Sequence, residues 1–507
     1  MKESKKTNIA IAAIIFAIVL SGLMIFVLSN KTSYSNDSES SDYDNNVKED
    51  TSKVLIDATT NEIKSYTEVN YEVDSDYDLT NATYVNLDDL SKSTYEITSG
   101  GTYVLSGTYE GQIVINSEDE ETVKIILNGI YISSSENSPI YVENAKEVSI
   151  VLAEGTSNYI TDTSSYIDPD VDESATPAAI YSTDDLYISG TGELTIISEN
   201  KNGIQSKDQI VIIDGEITIS AAKEAIKAKD YIVIQDGNLD LTSGEDGISI
   251  TEEDDAEKGY IVIDGGEINI DSQYDGITAK TYIIINSGEI DITTSTLDTS
   301  KSAKGIKAGY YLEINGGTIT IDSVDDGLHS NNKIVINSGT ITISSGDDGI
   351  HADEAIEING GEINIEKSYE GIEAAEIIIN EGTIDITASD DGINSPQGKM
   401  TINGGTITIA AAGSGAGDGL DSNGDITIAG GNIVIIMPSS YRDYSSIDYD
   451  RTFSLTGGQV RILNTDGTYT EVTESNVGSV SGMIGGGMTP GTNTQMPTGG
   501  ATRPRMR

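Results

Sequence analysis

The chain is 507 residues long and carries 83 acidic against 29 basic side chains, a formal net charge of −54. That balance excludes nucleic-acid recognition through a basic patch. The absence of cysteine excludes disulfides, thiolate zinc sites, a lipobox lipid anchor and a cysteine nucleophile, and with no Trp but 26 Tyr, any ring stacking on a sugar falls to tyrosine.

Residues 1–8 (MKESKKTN) read as a basic cytoplasmic tail, and residues 9–28 as 20 uncharged, mostly apolar residues, long enough to span a bilayer as a helix. Lys2, Lys5 and Lys6 precede the run and an acidic stretch follows it, which orients it positive-inside. The run exceeds the apolar core of a cleaved signal peptide, and its small-residue end near Ser29 makes a poor cleavage site. The expectation is an uncleaved transmembrane signal anchor on a Gram-positive-type bacterium, with secretion as the alternative if the segment is removed. Either way the bulk of the chain lies outside the cell. Residues 29–94 form an acidic Ser/Asp-rich spacer and lead-in.

Residues 95–438 repeat. The clearest copies are INGGTITIDSVDDGLHS (Ile314–Ser330), INSGTITISSGDDGIHA (Ile336–Ala352) and INGGEINIEKSYEGIEA (Ile358–Ala374). Aligned on one glycine slot, landmarks fall at Gly203, Ala225, Gly247, Gly276, Gly305, Gly327, Gly349, Gly371, Gly392 and Gly419, so the base step is 22 residues with insertions. Within a unit the apolar residues alternate with period two, in three short β-prone runs divided by Gly, Asn and Asp turns. Three strands in 22 residues make one coil of a parallel β-helix, a single-stranded all-β solenoid, right-handed because parallel crossovers are. Asn286, Asn315, Asn337, Asn359, Asn380 and Asn403 share one turn and read as a structural amide ladder, with the glycine pairs after them supplying positive φ. Residues 439–474 read as a C-terminal β cap and 475–507 as a disordered Gly/Met-rich tail.

Directly before the aligned glycine stand Asp246, Asp275, Asp326, Asp348, Glu370, Asp391 and Asp418, and one residue earlier Glu245, Asp325, Asp347 and Asp390. A single Asp-Asp-Gly is an ordinary turn. A stacked row differs, because unit charges about 4.8 Å apart at an effective dielectric near 20 repel by about 3.5 kcal/mol. A hard cation or fanning into solvent relieves this, and calcium, with six to eight oxygen ligands, suits it better than magnesium. The candidate metal ligands are Asp275, Asp325, Asp326, Asp347, Asp348, Glu370, Asp390 and Asp391. Two residues past the glycine runs a column holding Lys307, both histidines (His329 and His351), Glu373 and Asn394. It reads either as solvated surface or as a substrate-binding groove beside the acids.

At these residues the chain resembles the clostridial β-helix carbohydrate-binding proteins. The GG-T/E-I-T/N-I strands, the S-x-D-D-G-I/L-H turns and the Gly/Met-rich tail carry the resemblance, over roughly Tyr95 to Pro438. It implies a right-handed parallel β-helix of pectate-lyase-like shape, binding of polygalacturonate and cellulose-type polymers, and calcium associated with Asp325, Asp326, Asp347 and Asp348. Coils such as Ala303–Lys304–Gly305 depart from a uniform metal row. The favoured reading is a non-catalytic cell-surface protein that binds an acidic, pectin-like polysaccharide through calcium on stacked Asp turns. Calcium bridging also answers the repulsion between a uronate polymer and so acidic a protein. The alternatives are a structural or adhesive wall rod stiffened by calcium, and a pectate-type lyase with Lys307 as base. For sugar stacking the candidates are Tyr274, Tyr310, Tyr311 and Tyr369.

Overall fold

One coil shows how the repeat folds. Leu328–Ser330, Lys333–Ile336 and Thr340–Ser345 are its three strands, and the next Asp-Asp-Gly turn begins the following coil. Each strand lies parallel and in register on its successor, pairing Leu328 with Ile350, Ile334 with Ile356 and Ile341 with Ile363. Alternation then puts Ile334, Ile336, Ile341, Ile343 and Ile350 inside, every one wholly buried. Isoleucine suits this position because its branched side chain fits the pleated surface and stacks on its own kind. Each such burial contributes about 1.5–3 kcal/mol.

The computed structural model describes residues 79–477, except 166, 168–174, 253–254, 256–257, 299, 412–416 and 437–444, together with Leu55–Ile56 and Ile63–Ser65. Those two short strands pair antiparallel in a unit ending at Glu72, and the solenoid belongs to the unit that starts at Val73. The solenoid has about 15 turns and three strand rows running as long parallel sheets. The expected membrane anchor (9–28) and most of the expected tail lie outside the described residues. No helix among the described residues is long and apolar enough to cross a membrane.

Coiling begins before residue 95, since Thr83–Asn86 already pairs in parallel with Tyr103–Ser106. It also runs past Pro438. Ile447–Tyr449, Thr452–Leu455 and Gln459–Leu463 stack on the preceding coil, so much of the segment expected as a cap is a further coil. The cap proper is Tyr469–Glu471, which pairs antiparallel with Gln459–Leu463 and covers the last strand edge. The sequence hides this coil because the chain between Ile436 and Ile447 breaks the period.

Three corners join the strands. At one, each asparagine of the expected ladder donates from Nδ2 to the Oδ1 of the asparagine one coil earlier, at 2.7–2.9 Å from Asn315 to Asn403. Only the second glycine of each pair there has positive φ, as at Gly317 (+89°). The aligned glycine of the acidic corner serves a different purpose. A Cβ on Gly327 would meet Ile343 Cγ2 at 2.5 Å and the Gly349 carbonyl at 2.6 Å, so neighbouring coils touch here backbone to core. Gly327→Ala should therefore destabilise the solenoid by about 1–3 kcal/mol through overpacking. Val324→Ala, at a position 45% exposed, should leave a urea melt nearly unchanged.

Candidate functional site: the acidic corner

The S-x-D-D-G turn is built residue by residue. A buried serine opens it, and Ser323 and Ser345 donate from Oγ to the carbonyl oxygens of Asp325 and Asp347 at 3.0 and 3.1 Å. The second acid then turns inward along the stack. Oδ1 of Asp326 accepts the backbone N–H of Asp348 (3.1 Å), and Oδ1 of Asp348 accepts that of Glu370 (3.3 Å). Asp246, Asp275 and Asp391 repeat the contact towards Asp275, Lys304 and Asp418. One carboxylate oxygen thus satisfies a turn N–H on the next coil, and the other remains for a cation.

Upstream, the protein supplies that cation. Lys304, standing where other coils carry an acid, places Nζ 2.6 Å from Asp326 Oδ2 and 2.9 Å from Asp325 Oδ2. Lys227 pairs with Glu224 (2.5 Å) and Lys307 with Asp275 (3.4 Å). His329 and His351 each meet the acid three residues earlier, Nδ1 lying 2.8 Å from Oδ2 of Asp326 and of Asp348, and their rings stack 5.1 Å apart. Burial opposes ionisation of Asp326, but His329 and Lys304 outweigh it and hold its carboxyl below the usual range. Burial also opposes the His351 imidazolium, yet Asp348, Asp326 and Glu373 carry it up to about 9.

Downstream of His351 the corner changes character. Asp348, Glu370 and Glu373 bring carboxylate oxygens within 4.8 Å of one another, and so do Asp418, Asp421 and Asp448. Among the described residues no lysine, arginine or histidine pairs with Glu370, Asp391, Asp418 or Asp421. Burial, reinforced by Glu373, pushes the Glu370 carboxyl up to about 9. Burial and neighbouring acids likewise take Asp391 and Asp418 to about 7 and Asp421 to about 6. Asn394 lies 8% exposed on the coil after Glu370, to which it donates at 2.8 Å, while its Oδ1 has no hydrogen-bond partner. A buried acceptor without a donor beside crowded carboxylates leaves an oxygen set that lacks only positive charge.

The column of Lys307, His329, His351, Glu373 and Asn394 stacks in register as expected. It does not stand freely outward. Lys307 and the histidines fold back over the acids, and Asn394 is buried. Asp325, Asp326 and Asp347 converge, though around Lys304. Asp275 is taken up by Ser302 Oγ (2.7 Å), the Lys304 N–H (2.9 Å) and Lys307. Asp390 sits half-buried beside Asp391. Tyr311 is buried and Tyr310 packs edge-on against Tyr282, whereas Tyr274 and Tyr369 occupy the turn position directly before the acid row. Asp448 escaped sequence reading because the broken period before it hides its place above Asp421. Its signal was the alternation Ile447–Asp448–Tyr449.

Insertions cluster at the same corner. Strands flanking it stand farther apart in sequence than an ordinary turn between Asp162 and Ala178, Thr294 and Ile306, Ala411 and Leu420, and Ile436 and Ile447. Wider spacings at another corner fall between Asn116 and Val123 and between Ile250 and Tyr260. Insertions in solenoids commonly gather on the binding face.

Fold and corner together define a parallel β-solenoid with a lengthwise acidic edge. The chain belongs to the carbohydrate-binding domain-containing family, whose model matches residues 91–349 and 343–488. It is similar to a carbohydrate-binding domain-containing protein of Acetivibrio thermocellus, 36% identical over 155 residues, which make up 30% of this chain and 54% of that protein. The chain thus spans about half the length of that curated relative. Among solved structures it is similar to a polysaccharide lyase-like protein from C. thermocellum, studied as a gadolinium derivative, at 29% identity and a TM-score of 0.39, covering 48% of this chain and 94% of the other.

The downstream acids give stability a definite pH dependence. Their pKa values are raised on folding, so between the ordinary carboxylate range and the raised values the folded chain holds more protons than the unfolded one. Stability should therefore fall as pH rises from about 5 to about 8.5 in chelator, read as a falling melting temperature. Calcium should flatten that slope at its alkaline end.

Proposed function

We propose that the acidic corner binds an acidic polysaccharide of the polygalacturonate class through calcium, without cleaving it. One observation carries the reading: downstream of His351, half-buried carboxylates crowd together on successive coils without a protein cation, and the buried Asn394 that donates to Glu370 keeps an unpartnered Oδ1. Calcium fits that donor set of carboxylate and amide oxygens. Glu370, Glu373, Asn394, Asp391, Asp418 and Asp421 would hold it, and when bound it would supply the charge that draws in a uronate carboxylate. Lys307 and His351, along the same edge upstream, add positive charge for an extended polymer, and His329 stacks on His351 beside them. Tyr369, directly before Glu370, is placed for ring stacking. The anchored or secreted placement expected from residues 9–28 suits a protein that meets such polymers outside the cell.

A second reading has its own support. The Oδ1-to-N–H contacts show that the row also fastens coil to coil, as a calcium-stiffened wall rod requires. A lyase reading finds less, since Lys307 is engaged by Asp275 and Ser302.

Titration calorimetry with polygalacturonate separates these readings. Binding in calcium that vanishes in chelator is the expected outcome, and Glu370→Gln with Asp391→Asn should weaken it roughly tenfold or more, at least about 1.4 kcal/mol. Calcium uptake with no polysaccharide binding would favour the rod. Absorbance from an unsaturated product, lost in Lys307→Ala, would establish the lyase instead.

A further inference from the structure

At the N-terminal end of the same corner, Lys201 stands in the column that holds Glu245, Asp325 and Asp347 farther along, and with Asp162 it forms the most deeply buried ion pair of the described residues, with side chains 4% and 0% exposed. Lys201 stands in the turn before Asn202–Ser206, and Asp162 ends the strand Ser157–Asp162 on the preceding coil. The surroundings are arranged unlike those of an ordinary salt bridge. Asp162 Oδ1 accepts two donors from Ser164, the backbone N–H at 2.8 Å and the hydroxyl. Asp162 Oδ2 faces Lys201 Nζ at 3.3 Å and accepts no other donor. The amine is anchored elsewhere, donating to the Thr176 carbonyl at 2.8 Å. One carboxyl oxygen is therefore held as an oxyanion would be, and the other faces only an amine fixed in place.

We propose that Lys201 and Asp162 condense spontaneously into an intramolecular isopeptide bond. A proton first passes within the pair from ammonium to carboxylate, leaving neutral amine and neutral acid. Burial favours this transfer, since it raises the pKa of Asp162 and lowers that of Lys201. The Nζ lone pair then attacks Cγ, forming the Nζ–Cγ bond, and negative charge gathers on Oδ1 where the Ser164 N–H and hydroxyl receive it. The Cγ–Oδ2 bond breaks, the Oδ2 hydroxyl takes a proton from nitrogen, and water departs. No oxidant or cofactor is required. Fixed juxtaposition supplies an effective concentration that reaches about 10⁵ M or more in well-oriented intramolecular reactions.

The product would tie coil to coil across the insertion between Asp162 and Ala178, closing a covalent loop in a chain that has no cysteine for a disulfide. The condensation requires neither cation nor polysaccharide binding farther along the corner.

Mass spectrometry of the denatured, protease-digested full chain tests it. The expected result is a branched peptide joining the segments that contain Asp162 and Lys201, lighter by one water than their sum. Lys201→Arg and Asp162→Ala should each restore the separate linear peptides. Succinimide formation at the Asp–Gly sequences also removes water, but it leaves no branch and persists in Lys201→Arg. Recovery of both linear peptides from the unmodified chain, with no branched species, overturns the proposal and leaves a buried ion pair. That reading needs no variant to fold.

Discussion

Everything in this molecule depends on parallel coils stacking in register about 4.8 Å apart. Register sets each side chain against its own kind on the coils above and below. For isoleucine that gives a continuous dry column, and for asparagine a chain of amide-to-amide hydrogen bonds, because the group is both donor and acceptor. For aspartate it is unfavourable, since like charges are forced together. The acidic corner is where the architecture and the residue choice conflict, and unresolved conflict of that kind marks functional sites.

Resolution comes in layers along the corner. The second aspartate of these turns gives one oxygen to a backbone N–H of the next coil, which lowers the cost of burying it but leaves its charge; Glu370 instead accepts from Asn394. Upstream of His351 lysine and histidine meet that charge at Glu224, Asp275, Asp325 and Asp326, while burial and neighbouring acids take Asp246 to about 7. Lys304 does so from the acid slot itself, so a departure from the repeat converts repulsion into a pair of short ion contacts. Downstream the same geometry continues without such partners, and the carboxyls respond by resisting ionisation. A uniform-looking motif row thus mixes acids that the chain's own cations meet with acids that resist ionisation, the latter gathered mostly downstream.

Much of this was legible in the sequence. A period of 22 with alternating isoleucines defined the solenoid, and the asparagine column defined its ladder. Direction and depth were less readable. Alternation placed Lys307, His329 and His351 on the outside of the strand, but not their bend back over acids three residues away. Tyr310 and Tyr311 looked equivalent until strand phase buried the second. Where insertions broke the count, register was lost altogether. Asp448 disappeared from its column for that reason, and so did the meeting of Lys201 with Asp162 across the excursion that follows the latter.

The residue choice at the acidic corner also shows what the row is for. Capping a turn N–H requires only an acceptor oxygen, which asparagine offers without charge. The chain uses asparagine freely where hydrogen bonding is all that is needed, as the opposite ladder shows coil after coil. At the acidic corner aspartate and glutamate stand instead, at a mutual repulsion of about 3.5 kcal/mol per neighbouring pair if both ionise. Fold stability alone would favour the amide. On the proposed reading the negative charge serves a ligand that brings positive charge to the corner, which would make the carboxylate the better choice there.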